Sequence, residues 1–456
     1  MSIKKEIERA VKKISLSNSK TSTELKDIIS NTLISYNNSS FNFAKLISLI
    51  VKQNLKKRLV KKYDDCYSPE NVLCQCIKQI LDRTFEIKYP NRNKISHDLF
   101  TTLSAITQMT DFTIFKFDFK DFFNSVSSIY TFEKYLKKSN LKYYENDLIK
   151  DYVYSTKYAF AGLCSSNTIV EIIAKNFDKL LCQEFSSHGI IFYERYIDDC
   201  ILILNEDMKE EKIKETLKNI LIEIFHDQSI ENHQCKTEFN EKKFQYISKK
   251  KVLKEKCSVD FLGYEFYFEL IEKQIIIKYG ITLEKRKKYE KRLNNLILYC
   301  KSLSLPEHDE TELLRHMIRA FSSRSVYITK YYQSSIWRVK GFISNYGELR
   351  YLLDTELIEP ETKEFLQNAI DNAFNAVKFQ PYFLTANKEK TECGYNLYGN
   401  MKSNKTILLV KHIGYDYRSL VTLCKQVRIN ILDAKGKKKK YGNLVKEYLI
   451  KIKVGY

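Results

Sequence analysis

Hydrophobic positions along this chain change their period several times. In residues 1 to about 85 they recur at helical spacing between polar breaks such as "SLSNSKTS" and "YNNSSFN", which predicts helices. The clearest helix start is "YSPENVLCQCIKQIL", with Ser68 as N-cap, Pro69 in the first turn and Glu70 after it. From about residue 111 the texture changes. "FTIFKFDFKDFF" has the alternation and aromatic content of a strand, and residues 131–156 and 165–185 read as helices. Two strands follow, "GIIFYERYI" and "CILIL", joined at the aspartate pair Asp198 and Asp199. Residues 208–228 form an amphipathic helix pattern, and strand-like pieces return at "KKFQYIS" and "VDFLGYEFYF". From about 283 onward the pattern is mostly helical and very basic, from "LEKRKKYEKRLNNLILYC" to "KGKKKKYGNLVKEYLIKIK".

The order strand, helices, strand, strand, helix, strand is that of a split βαβ unit. In that topology the end of the first strand neighbours the hairpin between the next two, which places Asp118 beside Asp198 and Asp199. Cys200 to Leu204 carry no charged side chain, so these carboxylates enter the mouth of an apolar core. Neighbouring anions at low dielectric repel and lose hydration, so a cation is expected to compensate them. A similar "YDDC" at Tyr63–Cys66 follows "KKRLVKK" and lacks strand-like flanks; it reads as solvated acids between elements.

Composition narrows the class. With 456 residues, 44% hydrophobic and 13% aromatic, the chain is globular and long enough for two or three domains. Only 12 Gly and 5 Pro favour long helices over a loop-rich all-β architecture. The formal charge of +20 points to a polyanionic partner, nucleic acid before membrane, with a merely solubilising lysine surface as the plain alternative. The 11 cysteines are scattered without a CxxC, and the histidines form no HExxH, so free thiols in a cytoplasmic protein are expected rather than a zinc site. "MSIKKEIERAVKKI" is a charged amphipathic helix without a secretory h-region, and no run approaches a membrane span.

Three aspartates meeting at strand ends, without histidine or thiolate, form a hard oxygen site suited to Mg2+ or Mn2+. Two such ions can activate an attacking hydroxyl and steady a leaving oxygen in phosphoryl transfer. A basic chain carrying this cluster is most simply a nucleotidyl transferase.

"FKFDFKDFFNSV" (115–126), followed by "RYIDDCI" (195–201), resembles motifs A and C of reverse transcriptases. "CKTEF" (235–239) resembles motif D, and "VDFLGYEF" (259–266) the primer-grip hairpin of motif E. The resemblance implies an α+β right-hand polymerase: helical N-terminal region and fingers in 1–110, a split βαβ palm in 111–275, and a basic, mostly helical thumb and C-terminal region in 276–456. It makes Asp118 and Asp198 the principal metal ligands with Asp199 as helper. It gives Phe123 the role of a gate against the 2′-hydroxyl, where core packing is the alternative. Lys236 matches a lysine that protonates pyrophosphate. Arg92 and Lys94 in "YPNRNKI", with Lys88 nearby, resemble fingers residues that hold the triphosphate, or they line a solvated loop.

Motif B departs from the family. "FAGLCSSNTIVE" (160–171) keeps Gly162 and Ser166, both nucleotide-site candidates, but has Phe160 and Ala161 where a Pro-Gln pair is usual. The form running from Ser166 to Glu171 looks like bacterial defence reverse transcriptases of the Abi-related and unknown-group lineages. The implied activity is RNA-directed DNA synthesis in antiphage defence, with dNTPs, a DNA product and an associated non-coding RNA as partners, and with homo-oligomerisation left open. Template-independent or protein-primed synthesis, a group II intron-like splicing cofactor and a catalytically silent RNA-binding scaffold are the alternatives.

Overall fold

A computed structural model describes residues 2–15, 21–53, 56–230, 233–331, 334–379, 381, 396–407, 409 and 414–452. The chain divides into two compact units, 1–91 with 109–250, and 92–108 with 251–456.

The first unit opens with α1 (Ile3–Ser15) and α2 (Ser22–Asn37), the latter closed at its start by a Thr21–Glu24 capping box. The next stretch corrects the helical expectation for residues 1–85. β1 (Ile47–Gln53) and β2 (Lys56–Lys62) pair as an antiparallel hairpin from Ile47↔Lys62 to Gln53↔Lys56. Its β-branched residues suit a pleated ribbon, and its lysines suit an exposed one, although the same lysines fit a helix face. Asp64 and Asp65 of the "YDDC" segment are exposed as expected, and Asp65 caps the backbone N–H of Tyr67 at 3.0 Å. α3 (Pro69–Thr84) starts on Ser68, whose hydroxyl accepts from Asn71 N–H at 3.2 Å.

The sheet of this unit is built on β3 (Thr113–Lys120). After it come α5 (Phe122–Ser125), α6 (Ser128–Thr131), a π-turn over Phe132–Leu136, α7 (Tyr143–Thr156) and α8 (Ser166–Glu184). The single helix expected over 131–156 is therefore broken, because Ser139 turns back onto the Leu136 carbonyl at 2.6 Å and α7 starts anew. β4 (Ile190–Tyr196), β5 (Asp199–Leu204), α9 (Glu210–Phe225), β6 (Glu238–Phe239) and β7 (Gln245–Ser248) complete the sheet. β3 lies between β5 on one side and β7 and β6 on the other, with β4 outside β5 and all pairings antiparallel. The spatial order β7-β3-β5-β4 is the split βαβ arrangement read from the pattern. Both faces of β3 are covered: Phe115, Phe117 and Phe119 enter the aromatic core, while Ile114, Lys116 and Asp118 alternate onto the other face.

The second unit contains α4 (Arg92–Ile106), the antiparallel sheet β8 (Cys257–Phe261), β9 (Tyr264–Ile271) and β10 (Gln274–Ile281), and α11 (Leu283–Lys301) and α12 (Glu307–Phe321). α10 (Lys249–Val252) spans the boundary between the units. Beyond α12 the helical expectation fails again. β11 (Ser325–Tyr331) and β12 (Ser334–Lys340) form a hairpin from a β-branched and aromatic run, and "FISNYGELRYLL" makes 3₁₀ turns. The side chains of 325–340 lie outside the described residues. α13 (Pro360–Ala376), α14 (Leu397–Lys402), α15 (Tyr417–Gln426) and α16 (Tyr441–Lys451) finish the unit. The lysine run before α16 is an exposed turn, with Gly436 at φ +70° and Asp433 accepting from Lys435 and Lys437 N–H at 2.9 Å. Among the described residues no helix is long and apolar enough to cross a membrane.

Candidate active site

Asp118 and Asp199 face each other across the β3–β5 ladder, and Phe119 N–H donates to the Asp198 carbonyl at 3.1 Å. The register extends this face inward: Lys116 lies opposite Ile201, and Ile114 opposite Ile203. Asp118 is buried, whereas Asp198 and Asp199 are half-buried in and beside the two-residue turn that ends β4. Ile197, the first residue of that turn, has φ +64°, a conformation unfavourable for a β-branched side chain.

The electrostatics are those of crowded anions. Burial first, and then Asp118, raise the Asp198 carboxyl above its usual range. Burial and then Asp198 push Asp199 up to about 7, against the opposing pull of Lys116. Lys243 binds Asp118 Oδ2, and Asn240 Nδ2 donates to Oδ1 at 3.4 Å. Although burial works against its charge, Lys243 is held above its ordinary value by the hydrogen bond and charge of Asp118.

Arg195 supplies the support behind the turn. Its side chain is 3% exposed and donates through Nη2 to Glu171 at 2.9 Å and to Asp178 at 2.8 Å, both on α8. Its Nη1 donates to the Ile197 carbonyl at 3.1 Å, tying the strained turn to the helix.

The structure sets Asp118 opposite Asp199, with Asp198 next to it in the turn, and distributes the other candidates. Phe122 stacks on Phe119 at 4.4 Å in the core, leaving Phe123 half-exposed under the Arg58 guanidinium at 5.6 Å. Lys236 is exposed; its backbone N–H binds Ser125 O at 2.8 Å and its ammonium lies 5.3 Å from the Tyr158 ring centre. Gly162, at φ +105°, is closed against β2: an added Cβ would stand 2.5 Å from the Lys61 carbonyl oxygen and from Val60 Cγ1. Ser166 is 1% exposed, and its hydroxyl has no hydrogen-bond partner among the described residues. Arg92 belongs to the second unit, where it binds Asn345 Oδ1 at 2.8 Å and the Leu262 carbonyl; Lys94 and Lys88 are exposed.

Sequence reasoning did not single out Lys116, Lys243, Asn240 or Arg195. Arg195 had a readable signal, being the basic residue beside the turn, with Glu171 and Asp178 two turns apart on α8. Lys243 and Asn240 reach Asp118 from more than a hundred residues away, through the loop after β6, and no local pattern announces that.

The donor set suits a hard divalent cation. It consists of carboxylate oxygens, and at Asp118 the Lys243 ammonium already pairs with Oδ2. Among the described residues, no three His, Cys, Asp or Glu side chains are already gathered as a ligand shell.

No protein-family model and no curated protein matches the chain. Among solved structures it is similar to telomerase from Candida albicans in complex with a TWJ fragment of telomeric RNA, at 12% identity and a TM-score of 0.37, covering 94% of this chain and 66% of that one. It is also similar to the corresponding complex from Candida tropicalis, at 12% identity and 0.34, covering 93% and 67%. The C-terminally truncated apo telomerase from Candida tropicalis matches at 11% identity and 0.32, over 52% of this chain and 57% of that one. Likeness of this degree assigns neither activity nor partner.

Proposed function

We propose that this chain is a reverse transcriptase-like polymerase that joins deoxynucleotides into DNA at Asp118, Asp198 and Asp199. The observation that carries the reading is the pairing of Asp118 with Asp199 across β3–β5, with Asp198 in the adjoining strained turn. A fold without use for three crowded carboxylates would relieve their repulsion with neutral side chains.

Asp118 and Asp198 would hold Mg2+ or Mn2+, with Asp199 assisting. When bound there, the cation lowers the pKa of an attacking hydroxyl and neutralises charge on the phosphates. The remaining work falls to the protein. Lys243 releases Asp118 Oδ2, and Lys116 holds part of the negative charge in check from the same face of the sheet. Arg195 fixes the backbone that carries Asp198. Phe123 projects from the helix after β3 and excludes a 2′-hydroxyl by bulk, while Phe122 anchors that helix in the core. Lys236 supplies a proton to the departing pyrophosphate.

RNA as template, dNTPs as substrates and a cytoplasmic role in antiphage defence complete the proposal. The basic charge supports the nucleic-acid partner, and the sequence form of Ser166–Glu171 supports the defence setting. Synthesis without a template is the second reading, and one observation favours it. The segment that would approach the template is engaged by the chain's own hairpin, with Lys61 N–H on the Ala161 carbonyl at 2.8 Å and no room at Gly162. Purified protein supplied with dNTPs and Mg2+, with and without its co-purifying RNA, tests both. DNA complementary to the RNA supports the first reading, and RNA-independent DNA the second. No incorporation under either condition contradicts the polymerase assignment.

A further inference from the structure

The second unit holds a pocket of about 90 Å³, room for several waters, at which two arginines converge on one neutral oxygen. Arg324 and Arg350 both line it, with Asn404 between them. With the Asn404 amide oxygen turned to the guanidiniums, it accepts from Arg324 Nη1 at 3.0 Å and from Arg350 Nη1 at 2.7 Å. The backbone fixes this meeting. Arg324 N–H donates to the Lys405 carbonyl at 2.9 Å, and Asn404 sits at φ +49°, a conformation asparagine tolerates well.

The charge balance of the pocket is unusual. Among the described residues the two guanidiniums bond to neutral oxygens, Asn404 for both and the Tyr351 hydroxyl for Arg350. Glu348 is the acid on the lining, and its Oε2 is 3.0 Å from His97 Nδ1. Two guanidiniums facing one amide oxygen repel each other, and an anion between them would relieve that repulsion. Arginine forks match phosphate oxygens in geometry as well as charge. Ser344 adds a hydroxyl to the lining. At the rim, Tyr351 is 66% exposed; its hydroxyl accepts from Arg350 Nη2 at 2.7 Å, and its ring centre lies 4.6 Å from the guanidinium. An exposed ring beside a phosphate-sized cationic pocket is the arrangement that takes a nucleotide, base on the ring and phosphate on the arginines.

We propose that Arg324 and Arg350 form a phosphate-binding site, and that its ligand is a backbone phosphate of single-stranded RNA whose base stacks on Tyr351. The phosphate chemistry stands on the pocket itself, and the RNA source rests on the proposed function. The other source of the same chemistry is a free nucleotide or inorganic phosphate.

The test uses the full chain and three proteins: wild type, the double variant Arg324→Gln/Arg350→Gln, and Asn404→Asp. Asn404→Asp places a carboxylate between the guanidiniums, so it blocks the site while keeping or raising the melting temperature. That outcome separates loss of the site from loss of the fold. A fluorescent oligouridylate is titrated at a series of salt concentrations, and inorganic phosphate and UMP are tested as probes by thermal shift. Both variants should bind the oligonucleotide about tenfold more weakly, with the slope of log K against log salt shallower by about 0.7 for each phosphate they no longer neutralise. Unchanged oligonucleotide binding, with phosphate or UMP protection lost only in the variants, keeps the site and assigns it to free phosphate. Identical oligonucleotide affinity, salt slope and phosphate response in all three proteins overturns the proposal. DNA synthesis by wild type in the same preparation reports separately on the polymerase reading. Active wild type with indifferent variants removes only this site, and inactive wild type with weakened variants removes only the polymerase.

Discussion

Arg195 Nη1 donates to the carbonyl of Ile197 at 3.1 Å, so the residue that opens the aspartate turn is held by the guanidinium two positions before it. The same guanidinium is buried against Glu171 and Asp178. The turn that carries Asp198 is thereby fastened to α8 rather than left to its own unfavourable φ. Removing one member of a buried ion network strands the others, which costs about 3–5 kcal/mol where burial is complete. Asp178 is 27% exposed, so the lower end applies. Arg195→Met should destabilise the first unit by about 3 kcal/mol in chemical denaturation. Arg195→Lys, which keeps the charge but not the fork, should recover part of that stability and less of the activity.

The aspartate cluster is expected to trade stability for function. Asp199 is raised by burial and by the charges of Asp198 and Asp118, with Lys116 as partial compensation. Asp199→Asn removes one anion and should raise the melting temperature in chelator by about 2–4 °C, equivalent to about 1 kcal/mol, while lowering DNA synthesis. A lower melting temperature would mean that Lys116 and Lys243 already overcompensate the cluster.

The two adjacent phenylalanines should behave in opposite ways. Phe123→Ala, at a half-exposed position, should leave the fold intact and lower the dNTP-over-rNTP ratio of kcat/KM by about tenfold or more. Phe122→Ala, stacked on Phe119, should destabilise by about 3–5 kcal/mol. An unchanged ratio in Phe123→Ala removes the gate.

Acid should weaken the second unit through His316. Its ring is fully buried, with Nδ1 2.7 Å from Tyr448 Oη; burial, followed by Arg315, lowers its pKa to about 4. A histidine kept neutral in the fold but free to protonate when unfolded gives stability that is present above pH 6.5. That stability falls as pH drops from about 6.5 to about 4, by about 3 kcal/mol at most. His316→Gln should flatten this part of the stability–pH curve relative to wild type. Parallel curves for the two proteins would assign the acid sensitivity elsewhere.

What the sequence made legible followed from local pattern. Alternation in "FTIFKFDFKDFF" and the apolar run after Asp199 located β3 and β5, and element order alone placed Asp118 beside the pair. Local pattern failed where two elements fit one composition. The lysines of "KKRLVKK" suit a helix face as well as an exposed hairpin, and the segment after Phe321 changes from helix to strand without a proline or glycine to mark it. It also failed where chemistry is assembled from afar, as Lys243 and Asn240 are at Asp118. Gly162 was readable as a nucleotide-site candidate; that its close neighbour is the protein's own β2 was not, because the lysines of that hairpin fit a helix face as well.

The central claim is that the three aspartates hold a cation that makes DNA synthesis possible. Asp198→Asn removes a ligand charge with almost no change in shape, so the most direct measurement is dNTP incorporation by wild type and this variant across a Mg2+ titration, with melting curves alongside. The account predicts incorporation that rises with Mg2+, vanishes in excess chelator, and is absent from a fully folded Asp198→Asn protein. Wild-type rates in the folded variant, or synthesis that persists in chelator, would contradict it.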